Sequence, residues 1–333
     1  MILVTGGTGM VGSHLMYHLL LKYDTFKAIH QKTSDLSGVK KVFSYYTSDF
    51  ENFFNRIIWV EADLCNIITL ESAFQGVTEV YHCAALVSLN PSDYHKMRDV
   101  NINGTTNIVN LCISSSIKKL CFVSSIATIE KNNSGHLNDE SENWNNSAQK
   151  SGYAITKYGA EMEVWRASQE GVDVVIVNPG VILGSGFWQK GTGKMFRQVQ
   201  KGLIFYTEGV NGFVGVKDVV LIMIKLMQSE IKNERFILVS ENISFKDIFF
   251  KIADALKKKR PGIRVTPFLS QVAWRLDTLT SIFTGRSPLL NKETAKTILT
   301  KEYYTSQKIQ SALNYEFESI DKTIKSTCHD FLK

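Results

Sequence analysis

The chain has few cysteines and no pattern among them. Cys65, Cys83, Cys112, Cys121 and Cys328 are odd in number and widely spaced over 333 residues. That excludes a disulfide scaffold and gives no zinc-ligand spacing, so no metal site is expected. Cys83 and Cys121 fall in apolar runs and read as small buried hydrophobes. No apolar run reaches the roughly 18 residues that a membrane span needs. No charged leader precedes the first apolar run, so no signal peptide is expected, and a reducing cytoplasm is the expected setting. No internal repeat or low-complexity tract stands out, and no nucleic-acid motif accompanies the basic charge. A hydrophobic content of 44% with a mean hydropathy of -0.07 describes a soluble globular chain. Its length suits one large domain or two fused ones.

What is present is alternation. Apolar runs at Ile2–Val4, Phe26–Ile29, Ile57–Val60, Glu79–Cys83, Lys119–Val123 and Val172–Val177 read as strands. Helical spacing fills the gaps at Val11–Lys22, Ile68–Phe74, Asn101–Ser115 and Tyr153–Glu170. This order predicts an α/β fold, a Rossmann-type doubly wound parallel sheet with helices on both faces. Ligands then bind beyond the carboxyl ends of the strands. Residues 130–150 are polar and read as a surface loop. From Gly180 the pattern changes, and Gly184, Gly186, Gly191 and Gly193 surround Phe187 and Trp188. The expected division is therefore a dinucleotide-binding domain over 1–180 and a mainly substrate-binding portion over 181–333. Strands near Gly212–Val216 and Arg235–Val239 are expected to return to the core.

Two motifs carry the chemistry. Gly6, Gly9 and Gly12 form a Gly-x-x-Gly-x-x-Gly turn between the first strand and the first helix. Gly6 permits a tight turn, Gly9 lets the backbone approach a pyrophosphate, and Gly12 lets the helix pack on the strand. The helix then points unpaired N–H groups at the anion. Downstream, Tyr153 and Lys157 stand one helical turn apart on one face. A phenol is a poor base at neutral pH, and a neighbouring ammonium is expected to lower its pKa. Together the motifs predict hydride transfer from a nicotinamide with Tyr153 moving the proton.

These segments resemble the extended short-chain dehydrogenase/reductase family, also called the NAD-dependent epimerase/dehydratase family. The resemblance runs through Thr5-Gly6-Gly7-Thr8-Gly9-Met10-Val11-Gly12, Asp63-Leu64, His82-Cys83-Ala84-Ala85, Asn101-Ile102-Asn103-Gly104-Thr105, Ser124-Ser125, Tyr153-x-x-x-Lys157 and Asn178-Pro179-Gly180. It implies cofactor contacts from Gly6, Thr8, Gly9, Met10, Val11, Gly12, Ala84, Ala85, Tyr153, Lys157, Pro179 and Gly180. It also implies that Asp63 bonds the adenine amino group while Leu64 packs on the ring. Catalysis is expected from Ser125, Tyr153 and Lys157. Strand alternation allows only one of Ser124 and Ser125 to reach the site, and Thr128 is a further candidate. Asn101 either orients water or backbone, as in the family, or caps a helix.

Cofactor choice turns on the residues after the second strand, where NAD-binding members usually carry an acid. Here Ala28-Ile29-His30-Gln31-Lys32-Thr33-Ser34 has none before Asp35. Lys32, with Thr33 or Ser34, suits the 2′-phosphate of NADP, which is favoured over NAD, although NADP-using members often carry Arg where Gln31 stands. For the substrate, Asn178 replaces the Arg that nucleotide-sugar enzymes often carry. The chain resembles the dihydroflavonol-reductase and 3β-hydroxysteroid-dehydrogenase-like branch more closely. Trp188, Met195, Phe196, Tyr206 and Phe213 either line an apolar pocket or pack the core.

The main expectation is an NAD(P)-dependent reductase or dehydrogenase acting on a ketone, aldehyde or alcohol with an apolar body. The alternatives are a nucleotide-sugar epimerase or dehydratase holding NAD tightly, and a non-catalytic NADP sensor. A homodimer is expected through Asn101–Ser115 and Tyr153–Glu170, with Met162 and Trp165 either at that interface or in the core. Residues 257–308 carry about +8 while the whole chain carries +6, so the rest is near neutral. This basic segment reads first as a solvated face. Peripheral membrane contact through the amphipathic stretch 267–283 is a second reading.

Overall fold

The computed structural model describes residues 1–88, 90–131, 136–142, 144–145, 150–266 and 299–333. Its strands are β1 (Ile2–Thr5), β2 (Phe26–His30), β3 (Ile57–Glu61), β4 (Glu79–His82), β5 (Lys119–Val123), β6 (Asp173–Pro179), β7 (Val181–Leu183), β8 (Phe205–Tyr206), β9 (Val210–Gly215), β10 (Glu234–Leu238), β11 (Glu241–Ser244) and β12 (Ile263–Arg264). The helices are α1 (Met10–Leu20), α2 (Ser37–Ser44), α3 (Phe50–Asn55), α4 (Ile67–Phe74), α5 (Tyr94–Arg98), α6 (Gly104–Ser114), α7 (Gly152–Gln169), α8 (Gly193–Gln200), α9 (Val216–Met227), α10 (Phe245–Ala255), α11 (Gln307–Leu313) and α12 (Ile320–Phe331).

Seven strands form the main sheet in the order β10-β6-β5-β4-β1-β2-β3, all parallel. Every residue of β1 and of β5 is buried, as expected for strands covered on both faces. Alternation divides β1 between two cores. Ile2 and Val4 join α1 and α9 on one side. Leu3 joins α4, α6 and α7 on the other. The order in which the chain adds strands reverses between β1 and β4, which opens a crevice at their carboxyl ends.

The two later strands expected in this sheet part ways. Glu234–Leu238 pairs with β6 in register. Val210–Gly215 instead lies between β7 and β11 in a separate three-stranded sheet. A third apolar cluster of Leu183, Phe196, Phe213, Ile248, Ile252 and Ile324 packs this sheet against α8, α10 and α12. The expected helix from Asn101 also differs, because Asp99–Asn103 forms a wider π-type turn that α6 then continues. Such turns re-aim side chains, often at functional sites. No helix among the described residues is long and apolar enough to cross a membrane. The amphipathic stretch 267–283, and residues 267–298 of the basic segment, lie outside the described residues.

Candidate active site

The glycine turn is built as its residue types require. Gly6 has φ +69°, and a Cβ there would lie 2.5 Å from the Ala84 nitrogen. A Cβ on Gly12 would lie 2.2 Å from the Gly6 carbonyl oxygen, so α1 can approach the turn only without one. Gly9 is exposed and begins α1 without a side-chain cap or an acid in the first turn. The first N–H groups of α1 are thus left for an anion.

A cleft of about 350 Å³ opens over this turn. Its walls include Thr5, Gly6, Thr8, Gly9, His30, Gln31, Ser34, Leu64, Ala84, Ala85, Leu86 and Lys96. Met10 and Val11 pack against the core behind it. Asp63 is held beside the wall, accepting from Gln31 Nε2 at 3.0 Å and from the Cys65 N–H at 2.9 Å. Lys32 is exposed and, among the described residues, makes no ion pair. The nearest acid, Asp35, accepts from the Ser37 N–H at the start of α2, and these bonds hold its carboxyl below the usual range. Pro179 pairs with Leu238 in the sheet. A Cβ on Gly180 would strike the Gly212 carbonyl oxygen at 2.4 Å, so close strand packing is this glycine's visible role. Lys96, on α5, reaches the cleft without any signal in the local sequence.

A directed hydrogen-bond chain supports the cleft. Thr105 donates to the Asn101 carbonyl at 2.6 Å. His82 Nε2 therefore donates to Thr105 at 2.9 Å, and Nδ1 accepts from Thr5 at 2.6 Å. Thr5 Oγ1 in turn accepts from the Ala84 N–H. Burial pushes the His82 pKa down to about 3 and that of His14 to about 4. An unfolded imidazole binds a proton near 6.5, whereas these stay neutral in the fold. The unfolded state therefore binds more protons between about pH 6.5 and 3, and stability falls as pH drops through that window. Thermal denaturation from pH 7 to 4 should show a steady decline in Tm. In a His82→Gln variant the decline should be shallower, and an unchanged slope would remove His82 as a cause.

Asn101 does not cap a helix. It accepts from the Leu86 N–H at 2.7 Å and donates to the Leu86 carbonyl at 3.0 Å. It also donates to Thr156 on α7 at 3.1 Å. Its visible work is to hold the cleft's backbone against the helix that carries Tyr153.

Ser125 and Ser124 follow the end of β5 and take different partners. Ser125 Oγ accepts from the Ala127 N–H at 3.1 Å and lies beside the half-buried Tyr153 phenol. Burial raises the pKa of that phenol, and the neighbouring Ser125 hydroxyl opposes the rise. The expected acidification by lysine is not what governs the phenol. Lys157 is wholly buried, donates to the Val123 carbonyl at 2.8 Å, and lies 4.2 Å from the Phe122 ring centre. Its own pKa is brought down to about 7 by burial, with Glu161 opposing. Burial thus leaves this ammonium readily deprotonated near neutral pH.

Glu161 was not anticipated from sequence. It follows Lys157 by one further turn and is fully buried. One oxygen accepts from Ser124 at 2.6 Å, Thr128 at 2.9 Å and Asn178 at 3.1 Å. The other faces Arg235 at 3.3 Å. Arg235 also donates to the Glu140 and Glu142 carbonyls. Thr128 and Asn178 are thus internal struts. The i, i+8 spacing from Tyr153 was the available signal.

Of the aromatic candidates, Phe196 and Phe213 are core residues. Trp188 and Met195 pack partly exposed against the same cluster, and Tyr206 meets Phe250 edge to face. Among the described residues, no group of three or more His, Cys, Asp or Glu is placed to hold a metal ion.

A sheet whose strand order reverses at β1 and β4, with an uncapped helix aimed into the crevice, defines a dinucleotide-binding protein of the Rossmann class. The chain belongs to the NAD-dependent epimerase/dehydratase family, whose model matches residues 2–239. It is 28% identical over 339 residues to a putative dihydroflavonol 4-reductase from Synechocystis, covering 98% of this chain and 93% of that one. It is 27% identical over 295 residues to sterol demethylase protein B from Methylococcus capsulatus, covering 87% and 85%. The crystal structure of gox2253 superposes with a TM-score of 0.82 at 24% identity, covering 99% of this chain and 97% of that one. The chain is an NAD(P)-dependent oxidoreductase of the extended short-chain type.

Proposed function

We propose that the protein reduces a ketone or aldehyde on a largely apolar small molecule, with NADP as its cofactor. The observation that carries this reading is the placing of Ser125 beside the Tyr153 phenol, with buried Lys157 one turn along α7. When bound, the dinucleotide supplies the hydride. Its pyrophosphate would lie over Gly6, Thr8 and Gly9 at the start of α1, and its adenine against Leu64 and Asp63. Lys157 would hold the nicotinamide ribose. Ser125 holds the carbonyl oxygen, and Tyr153 delivers the proton as an alkoxide forms. A raised phenol stays protonated at neutral pH, which suits reduction more than oxidation.

Exposed Lys32, with no acid between β2 and Asp35, supports NADP over NAD. The names of the two relatives, a dihydroflavonol reductase and a sterol demethylase protein, support a polycyclic apolar substrate. The substrate would sit between the cleft and the portion after residue 180. A nucleotide-sugar epimerase is the competing reading. Against it, Asn178 is fully buried and bonds Thr128 and Glu161, so it is not presented to a diphosphate. A homodimer through α6 and α7 also belongs to this reading, with Met162 partly exposed on α7 while Trp165 packs inward.

Fluorescence titration of stripped protein, followed by a panel of apolar aldehydes and ketones, tests the proposal. NADPH should bind more tightly than NADH, and Lys32→Ala should weaken NADPH roughly tenfold, the scale of one charge-assisted bond, without changing NADH. Tenaciously retained NAD would favour the epimerase. Binding without turnover of any carbonyl would leave a sensor.

A further inference from the structure

β8 and β12 form a two-stranded ribbon outside both larger sheets, with Phe205 opposite Ile263 and Tyr206 opposite Arg264. Paired residues share a face, and neighbours along a strand alternate. Tyr206 faces inward onto α10, where it meets Phe250 and the Lys246 ammonium. The other face therefore turns outward. Phe205 is 47% exposed and Ile263 is 46% exposed. Ile204, 53% exposed, adjoins them and accepts from the Gly262 and Ile263 N–H groups. Single exposed hydrophobics need no explanation, but Phe205 and Ile263 side by side, with exposed Ile204 next to them in the chain, form an apolar knuckle.

The segment that leads into β12 is cationic. The nine residues from Leu256 to Arg264 contain five Lys or Arg and no acid. Arg260 is paired with Asp254, and Arg264 with Glu208. Lys257, Lys258 and Lys259 are exposed and, among the described residues, make no ion pair. We propose that this knuckle seats the protein on the surface of a membrane carrying anionic lipids. The lysines meet the phosphate headgroups, while Phe205, Ile204 and Ile263 enter the boundary between headgroup and acyl chain. Charge complementarity selects this occupant, because a purely apolar partner leaves three ammonium groups unmatched and a polyanion leaves three apolar side chains unmatched. The proposal does not depend on the catalytic reading.

Sedimentation of the full chain with phosphatidylcholine vesicles, with and without phosphatidylglycerol, tests it. Binding should appear on the anionic vesicles and weaken with salt. Reversing Lys257, Lys258 and Lys259 to Glu should reduce it by at least roughly 100-fold. A Phe205→Ser, Ile263→Ser double variant, with every charge retained, should reduce it several-fold. Both variants should retain the parent's dinucleotide binding, which shows that they fold. Equal affinity for the two vesicle types, or no affinity for either, overturns the proposal. So does anionic binding that the double variant leaves unchanged and that duplex DNA competes away, which would make the lysines a general polyanion surface.

Discussion

Replacing Tyr153 with Phe lowers kcat for carbonyl reduction by roughly 10²–10⁴-fold, the range for losing a positioned general acid. The ring and its packing remain, and only the phenolic hydroxyl beside Ser125 is lost. NADPH affinity should therefore stay close to the parent's, because the glycine turn and α1 are untouched. Ser125→Ala removes the neighbouring hydroxyl and should cost roughly 10²–10³-fold. The pH dependence carries a sign. With the phenol raised by burial, the acid form persists through neutral pH. Reduction should hold steady there, while oxidation of the alcohol gains as pH rises. Single-turnover rates with saturating NADPH measure this directly. A Phe variant that turns over at the parent rate assigns the proton to another group.

Replacing Glu161 with Ala should destabilise the fold by about 3–5 kcal/mol, the usual cost of removing one partner from a buried ion pair. Arg235 would keep its charge with only backbone carbonyls to meet it. Ser124, Thr128 and Asn178 would each lose an acceptor. For a chain of this size the loss corresponds to a fall in Tm of roughly 4–7 °C. Glu161→Gln should fall between the two, since it keeps the volume and one acceptor oxygen but sets an NH₂ against existing donors. Calorimetry of the three proteins decides the matter. An Ala variant as stable as the parent would mean that water or a shifted arginine replaces the carboxylate at little cost.

These two residues differ in how openly the sequence announces them. Tyr153 and Lys157 lie one turn apart, and helix geometry alone sets them on a common face. Glu161 lies on the same face, yet nothing local says that Arg235, 74 residues away, comes to meet it. Lys96 is similar. It stands among ordinary polar residues on a short helix, and only the docking of α5 brings it to the cleft.

The first six strands and the glycine turn were legible for a short-range reason. Buried parallel strands require continuous apolar runs, and Gly6 and Gly12 stand where a Cβ collides with backbone already placed by the turn. Those constraints act over a few residues, so they are written in a few residues. Tertiary packing decided the rest. Val210–Gly215 and Glu234–Leu238 are both apolar strands, and their patterns do not say which sheet each will join. One found its partners in β7 and β11, the other in β6. The ionisation of Lys157 and Tyr153 was likewise decided by burial in the assembled fold. A pKa depends on every group and every shell of water that folding removes, and no motif records them.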